Sequence, residues 1–181
     1  MCRMLGVVAA ARAPLSTLIA DDLDPYLGLA CEHNNGWGIA TVSETHTVTT
    51  AKEHERADLS PEFARVVRKT VTDAAVLHLR LASPHIPVTH GNTHLFGDER
   101  IAFAHYGGFR PPTCLDSFLG PEALATTQGD TDSERFYLAV RRRIDDGMRP
   151  EKAIAATAAD IHAVADQYAS LNCLLLTPDA L

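Results

Sequence analysis

Strand signals crowd the middle of this chain while helix signals stand before and after them, and that order constrains the fold more than any single motif. Leu5 to Ala10 reads as a strand, taken as part of a buried strand from Arg3 to Ala13. Pro14 opens a helix with Leu15, Leu18, Ile19 and Leu23 on one face, stopped near Asp24-Pro25. Gly38 to Val42 and Thr47 to Ala51 form a hairpin through Ser43-Glu44-Thr45. Ser60-Pro61 starts a helix carrying Phe63, Val66 and Val67, after which Ala74 to Leu81 and Ile101 to His105 read as strands. Thr131 and Glu134 form a capping box ahead of a helix displaying Phe136, Tyr137, Val140 and Ile144 and closed by Gly147. Pro150 opens a last helix through Ile154, Ile161 and Val164, and Leu171 to Thr177 is a final strand. The expectation is an α+β layered fold. With no repeat, linker or low-complexity stretch, the 181 residues read as a single domain.

Composition removes several functions. A formal net charge of -7 disfavours a primary role on nucleic acid or an anionic membrane. The run Arg141-Arg142-Arg143 is followed by Asp145-Asp146 and reads as a solvated helix face. Four cysteines, Cys2, Cys31, Cys114 and Cys173, without C-x-x-C spacing fit a reducing compartment better than a disulfide framework, and the chain is expected to be cytoplasmic. His85, His90 and His94 share one stretch, but their spacing fits no zinc helix or knuckle and no cysteine pair completes a set, so neither a metal nor another cofactor is expected.

Cys2 carries the sharpest chemical signal. Removal of Met1 would leave one residue with both a thiol and an α-amine, and the amine, with a pKa near ~7.7–8.0, can accept the thiol proton around neutral pH. Nucleophiles activated by an N-terminal amine are an established variant of triad catalysis.

Five separated segments supply a context for it: Met1-Cys2-Arg3-Met4-Leu5-Gly6, His33-Asn34-Asn35-Gly36-Trp37-Gly38-Ile39-Ala40, His78-Leu79-Arg80-Leu81-Ala82-Ser83, Asn92-Thr93-His94, and Gly129-Asp130-Thr131-Asp132-Ser133-Glu134. Each alone is weak, but in this order the chain resembles a class II glutamine amidotransferase, an N-terminal-nucleophile hydrolase. The resemblance implies an αββα sandwich of two antiparallel sheets between helix layers. It also implies cleavage of the γ-amide of glutamine, or of a γ-glutamyl conjugate, through a Cys2 thioester. A synthetase or acceptor enzyme is a possible partner, because the chain shows no synthetase domain of its own.

The same resemblance distributes roles. Arg80 is the clamp for the substrate α-carboxylate, where a guanidinium fork suits two parallel bonds; outside the motif it would read as a surface ion-pair residue. Asp132 holds the substrate ammonium, although an acid in the first turn of a helix is favoured by the dipole alone. Ser83 is a further substrate-binding residue. Trp37, between Gly36 and Gly38, either lines the site or packs a hairpin. His94 and His105 shape the pocket and orient loops.

One departure matters. Where the family reads His-Asn-Gly, this chain reads His105-Tyr106-Gly107. Gly107 retains a backbone N–H for the oxyanion, but the missing side-chain donor is worth ~10²–10³ in turnover. Either Tyr106 rebuilds the hole, or the chain is a catalytically silent glutamine-binding or regulatory subunit. Leu95 in place of the usual proline, and Pro84 after Ser83, alter the loop beside Arg80. The chain also ends at residue 181, where relatives are expected to continue.

Overall fold

A computed structural model describes residues 2–181 and shows an α+β protein built on two antiparallel sheets with helices. The chain divides into two compact units, the first comprising the residues up to Ala104 together with Cys173–Leu181, the second His105–Asn172.

The first unit is organised around four strands, β1 (Arg3–Pro14), β2 (Trp37–Val42), β3 (Val48–Glu53) and β4 (Val71–Leu79), in the order β1-β4-β2-β3. The expected hairpin is present: β2 and β3 run antiparallel from Val42 opposite Val48 to Trp37 opposite Glu53, and the turn is closed by Ser43 N donating to Thr47 O at 2.8 Å. Every residue of β2 is buried, as an interior strand covered on both faces requires. Strand β1 corrects the expectation of a buried strand. It lies at the sheet edge, Val8 is 70% exposed, and its pattern alternates with period two. Odd positions Leu5 and Val7 pack with helices, while Met4 packs on the opposite face.

Helices α1 (Leu15–Leu18), α2 (Ala20–Gly28) and α3 (Pro61–Lys69) cover one face of this sheet. Their core unites Leu15, Ile19, Tyr26, Phe63, Val66 and Val67 with Trp37, Ile39, Leu77 and Leu79 of the strands. Ser60 caps α3 by accepting from Phe63 N at 3.0 Å, a contact worth about 1 kcal/mol. The expected stop at Asp24-Pro25 does not occur. The helix breaks earlier, at Ile19 (φ −113°, ψ 18°), and then runs through Pro25 to Gly28. Pro25 removes one amide donor, but it lies on an exposed side with Asp21, Asp22 and Asp24, where a carbonyl without its helical partner costs little.

A second sheet has the order β5-β6-β7, from Phe96–Gly97, Ala102–Arg110 and Gln167–Leu176. Within the first unit, Leu95, Ala102, Ala104 and Leu176 pack on Ala40, Val42, Val48 and Val76, so the four-stranded sheet is covered by helices on one face and by strand segments on the other. The two-residue β5 was too short to read from sequence.

In the second unit the strand residues from His105 to Arg110 accompany α4 (Asp116–Leu124), α5 (Asp132–Asp145) and α6 (Pro150–Val164). Phe136 of α5 meets Phe109 and His105 edge-on, at ring separations of 6.5 and 5.3 Å. Thr131 caps α5 by accepting from Glu134 N at 3.2 Å, but the box is not reciprocal. The Glu134 carboxylate accepts instead from Gln128 N and Gly129 N, at 2.8 and 2.9 Å, and so fixes the approach to the helix. Helix α6 buries Ala153, Thr157 and Ile161, whereas Val164, assigned to the apolar face from sequence, is 51% exposed. Helix α4 was missed from sequence because Gly120 (φ 74°) and Pro121 interrupt it.

The arginine run is not simply a solvated face. Arg141 lies 3.7 Å from Asp145 and Arg142 is exposed. Arg142 donates to the carbonyls of Phe118 and Leu119, and Arg143 lies 4.1 Å over the Phe118 ring, bonded to Thr157 and Asp160. The two side chains staple α5 to α4 and α6, a use of guanidinium that residue order alone does not reveal.

Candidate active site

The pairing of the first sheet decides which expected site residues meet. Leu79 stands opposite both Arg3 and Trp37, so Cys2, just before Arg3, and Arg80, just after Leu79, emerge at the same end of the sheet. The Cys2 Sγ–H donates to Leu81 O at 3.7 Å, and Arg3 Nη1 donates to Cys2 O at 3.0 Å.

Arg80 is held by the turn before β2. Its amide donates to Gly36 O at 2.8 Å, Asn35 N donates to Arg80 O at 3.0 Å, and Asn35 Oδ1 accepts from Ala82 N at 2.9 Å. Asn35 thus bridges two of the sequence motifs, a role that the sequence analysis did not assign to it. The Arg80 side chain is 3% exposed and donates only to main-chain carbonyls, Asn35 O at 3.4 Å and Pro87 O at 3.1 Å; no carboxylate of the described residues pairs with it. Burial pushes its pKa down, partly offset by Cys2. A guanidinium buried among neutral acceptors keeps an unmet demand for an anion, since carbonyl dipoles do not replace a counter-charge. The surface ion-pair alternative therefore does not describe Arg80.

The glycines flanking Trp37 are dictated by contact. Gly36 has φ 138°, and a Cβ there would lie 2.7 Å from Glu53 O. A Cβ on Gly38 would lie 2.2 Å from His94 O. His94 is buried, stacked on His78 at 4.2 Å and edge-on to Phe96 at 4.7 Å. Of the two readings of Trp37, the packing one describes its side chain, which is fully buried and edge-on to Phe63 at 5.3 Å. Ser83 is exposed, in the connection after Arg80, where Ile86 N donates to its carbonyl at 3.1 Å and His85 takes φ 71°.

Tyr106, Gly107 and Asp132 belong to the second unit. A Cβ on Gly107 (φ 149°) would lie 1.7 Å from Ser170 O, so only glycine fits. Ser170 Oγ donates to Tyr106 O at 2.7 Å. His105 Nε2 donates to Ser170 O at 3.2 Å, which leaves Nδ1 to accept from the Ser133 hydroxyl at 2.9 Å. Burial lowers the His105 pKa, against the opposing pull of Asp132 and of the Ser170 carbonyl. Asp132 Oδ2 accepts from Phe109 N at 2.9 Å, so part of this carboxylate fastens the helix start to β6.

Among the described residues no group of three or more histidine, cysteine, aspartate or glutamate side chains could hold a metal ion, and no helix is long and apolar enough to cross a membrane. None of the four cysteines forms a disulfide.

Comparison with known proteins gives this geometry a context. A family model described as glutamine amidotransferases class-II matches residues 1–178. No curated protein matches the chain in sequence. Among solved structures, a glutamine aminotransferase class-II domain protein from Silicibacter pomeroyi is similar at 16% identity and TM-score 0.69, over 98% of this chain and 73% of that one. Glutamine phosphoribosylpyrophosphate amidotransferase from B. subtilis, complexed with ADP and GMP, is similar at 18% identity and TM-score 0.64. That match covers 98% of this chain but only 35% of the amidotransferase. At these identities the likeness is one of fold.

Proposed function

The chain belongs to the class II glutamine amidotransferases, a family that acts on glutamine, and from that premise we propose that it cleaves the γ-amide of glutamine or of a γ-glutamyl conjugate through a Cys2 thioester. The observation that carries the reading is Arg80, a buried cation beside Cys2 that meets only carbonyls among the protein's own groups. A substrate α-carboxylate meets that demand and sets its amide at a fixed distance from the clamp.

Cys2 Sγ attacks the amide carbon, the C–N bond breaks, and the thiol proton passes through the residue's own α-amine to the departing ammonia. Water then adds to the thioester, releasing the free acid and restoring the thiol. The step requires removal of Met1, which lies outside the described residues. In the same proposal Gly107 N–H serves the oxyanion, Tyr106 takes over or forfeits the second donor, and Asp132 holds the ammonium with the oxygen not used by Phe109. Ser83 and His94 shape the approach. We take residues 1–181 to act as one domain of the family, in a reducing compartment such as the cytoplasm, with ammonia released or passed to a synthetase or acceptor enzyme.

The test is ammonia release from glutamine by protein whose mass shows Met1 removed, together with labelling by a glutamine-like diazoketone. Rapid labelling of Cys2 ahead of Cys31, Cys114 and Cys173, and loss of turnover in Cys2→Ala with an unchanged Tm, are expected. Equal labelling of all four cysteines overturns the catalytic assignment. Glutamine binding without turnover would leave the silent regulatory subunit.

A further inference from the structure

The carbonyl of Tyr106 and the amide of Gly107 belong to one peptide unit, so whatever holds the first aims the second. In a planar trans peptide the C=O and the N–H point in opposite directions. Ser170 of β7 holds the carbonyl edge, its hydroxyl donating to Tyr106 O at 2.7 Å. The approach is close, since a Cβ on Gly107 would meet Ser170 O at 1.7 Å and Ser170 Oγ at 2.8 Å. The Gly107 N–H is thereby turned toward the other edge of β6, where the pairing with β5 covers Ala102 and Phe103 and stops short of Gly107, and Gly107 itself is exposed.

Ser170 is in turn held on two sides. Its carbonyl accepts from His105 Nε2 at 3.2 Å, and its hydroxyl oxygen accepts from Asn172 Nδ2 at 3.3 Å, which commits the hydroxyl proton to Tyr106 O. Donation to a peptide carbonyl also polarises that peptide and strengthens its N–H as a donor. With Tyr106 standing where a side-chain donor is expected, the aim and strength of the Gly107 N–H weigh more than they would if two donors shared the charge.

We propose that Ser170 is a positioning residue of the oxyanion hole: its hydroxyl, by fixing the Tyr106 carbonyl, directs the Gly107 N–H at the oxygen of the tetrahedral intermediate. The inference rests on the reading of Gly107 as oxyanion donor in cleavage by Cys2. No bond to substrate forms at Ser170, and it keeps its proton throughout. Negative charge builds on the amide oxygen as Cys2 Sγ adds to the carbon, is met by the Gly107 N–H, and returns to the C=O double bond as the C–N bond breaks.

The experiment compares wild type, Ser170→Ala and Ser170→Thr, each confirmed by mass to lack Met1. It measures kcat and KM for ammonia release from glutamine, the rate of Cys2 alkylation by iodoacetamide, and Tm. Iodoacetamide reacts by displacement at a saturated carbon and develops no oxyanion, so it reads the thiolate independently of the hole. Loss of a whole oxyanion donor costs ~10²–10³ in turnover, so misaiming and weakening one is expected to lower kcat about tenfold or more in Ser170→Ala. KM, the alkylation rate and Tm should change little. Ser170→Thr retains the hydroxyl and should recover most of the lost kcat. Equal kcat in wild type and Ser170→Ala overturns this inference alone, as does a Ser170→Thr protein no more active than Ser170→Ala. A Ser170→Ala protein in which KM rises, alkylation slows and Tm falls together would reveal a merely structural role and overturn it too. A wild type that releases no ammonia from glutamine would bring down the reading on which the inference rests.

Discussion

Two arginines, Arg80 in the first unit and Arg143 in the second, are both largely removed from water and have opposite surroundings. Arg143 is met by Asp160, Thr157 and the Phe118 ring. Arg80 is met by two carbonyls, with Cys2 nearby. The contrast extends to their neighbourhoods. Around Gly107 in the second unit, His105, Ser133, Ser170, Asp132 and Phe109 satisfy one another, whereas the helix-side core of the first unit leaves the Tyr26 hydroxyl and Trp37 Nε1 without partners among the described residues. Buried polar groups that are mutually satisfied hold a fold together; a buried cation met only by carbonyls, as Arg80 is, points to an anion brought from outside.

The largest expected effect tests the satisfied side. Gly107→Ala sets a methyl group against the Ser170 backbone at a φ that L-residues avoid, and neither strand has a flexible side chain to give way. A loss of more than about 4 kcal/mol is expected, read as loss of cooperative unfolding in denaturant. A well-folded Gly107→Ala protein would show that the β6–β7 contact yields.

Arg80→Lys probes the other side. It keeps the charge and loses the fork, so kcat/KM for glutamine should fall about 10²-fold, mostly through KM, with little change in Tm. Unchanged kinetics would erase the distinction between the two arginines. The complementary change, Arg143→Met, should cost about 1–2 kcal/mol of stability by removing the Asp160 and Thr157 bonds while retaining contact with Phe118, and should leave KM unaltered.

The smallest effect is a pH dependence of the second unit. His105 has its pKa lowered from 6.5 by burial, so the folded state binds fewer protons than the unfolded state between that depressed value and 6.5. Its contribution to stability is complete above 6.5 and is lost as pH falls through the depressed folded value. Tm should drop as pH falls from 6.5 toward the depressed folded value, and less steeply in His105→Gln, which removes the titrating group. Parallel curves for the two proteins would mean that the drop arises elsewhere.

Where the sequence was legible, local chemistry was enough. The Ser60-Pro61 and Thr131 helix starts, the hairpin through Ser43-Glu44-Thr45 and the α+β order follow from caps, turns and periodicity acting within a few residues. Motif order likewise pointed to the family, because residues such as Gly36, Gly38 and Gly107 answer to backbone constraints that no other residue meets. What failed depended on partners distant in sequence. Strand β1 was read as buried, but its position at the edge is set by its pairing with β4 alone; Arg143 looked solvated until α4 and α6 supplied Phe118 and Asp160.

The sequence by itself determined the kinds of groups available: a nucleophile at position 2, a guanidinium at 80, a glycine at 107 and the helices and strands that carry them. Tertiary structure alone decided which of those groups are satisfied. It joined Asn35 to Ala82, sank Trp37 into the core, spent one Asp132 oxygen on Phe109, and left Arg80 near Cys2 with only carbonyls to meet its charge. Hydrogen bonding and burial are properties of pairs brought together by folding, so a residue list states what each side chain can do and only the packed chain states what remains for it to do.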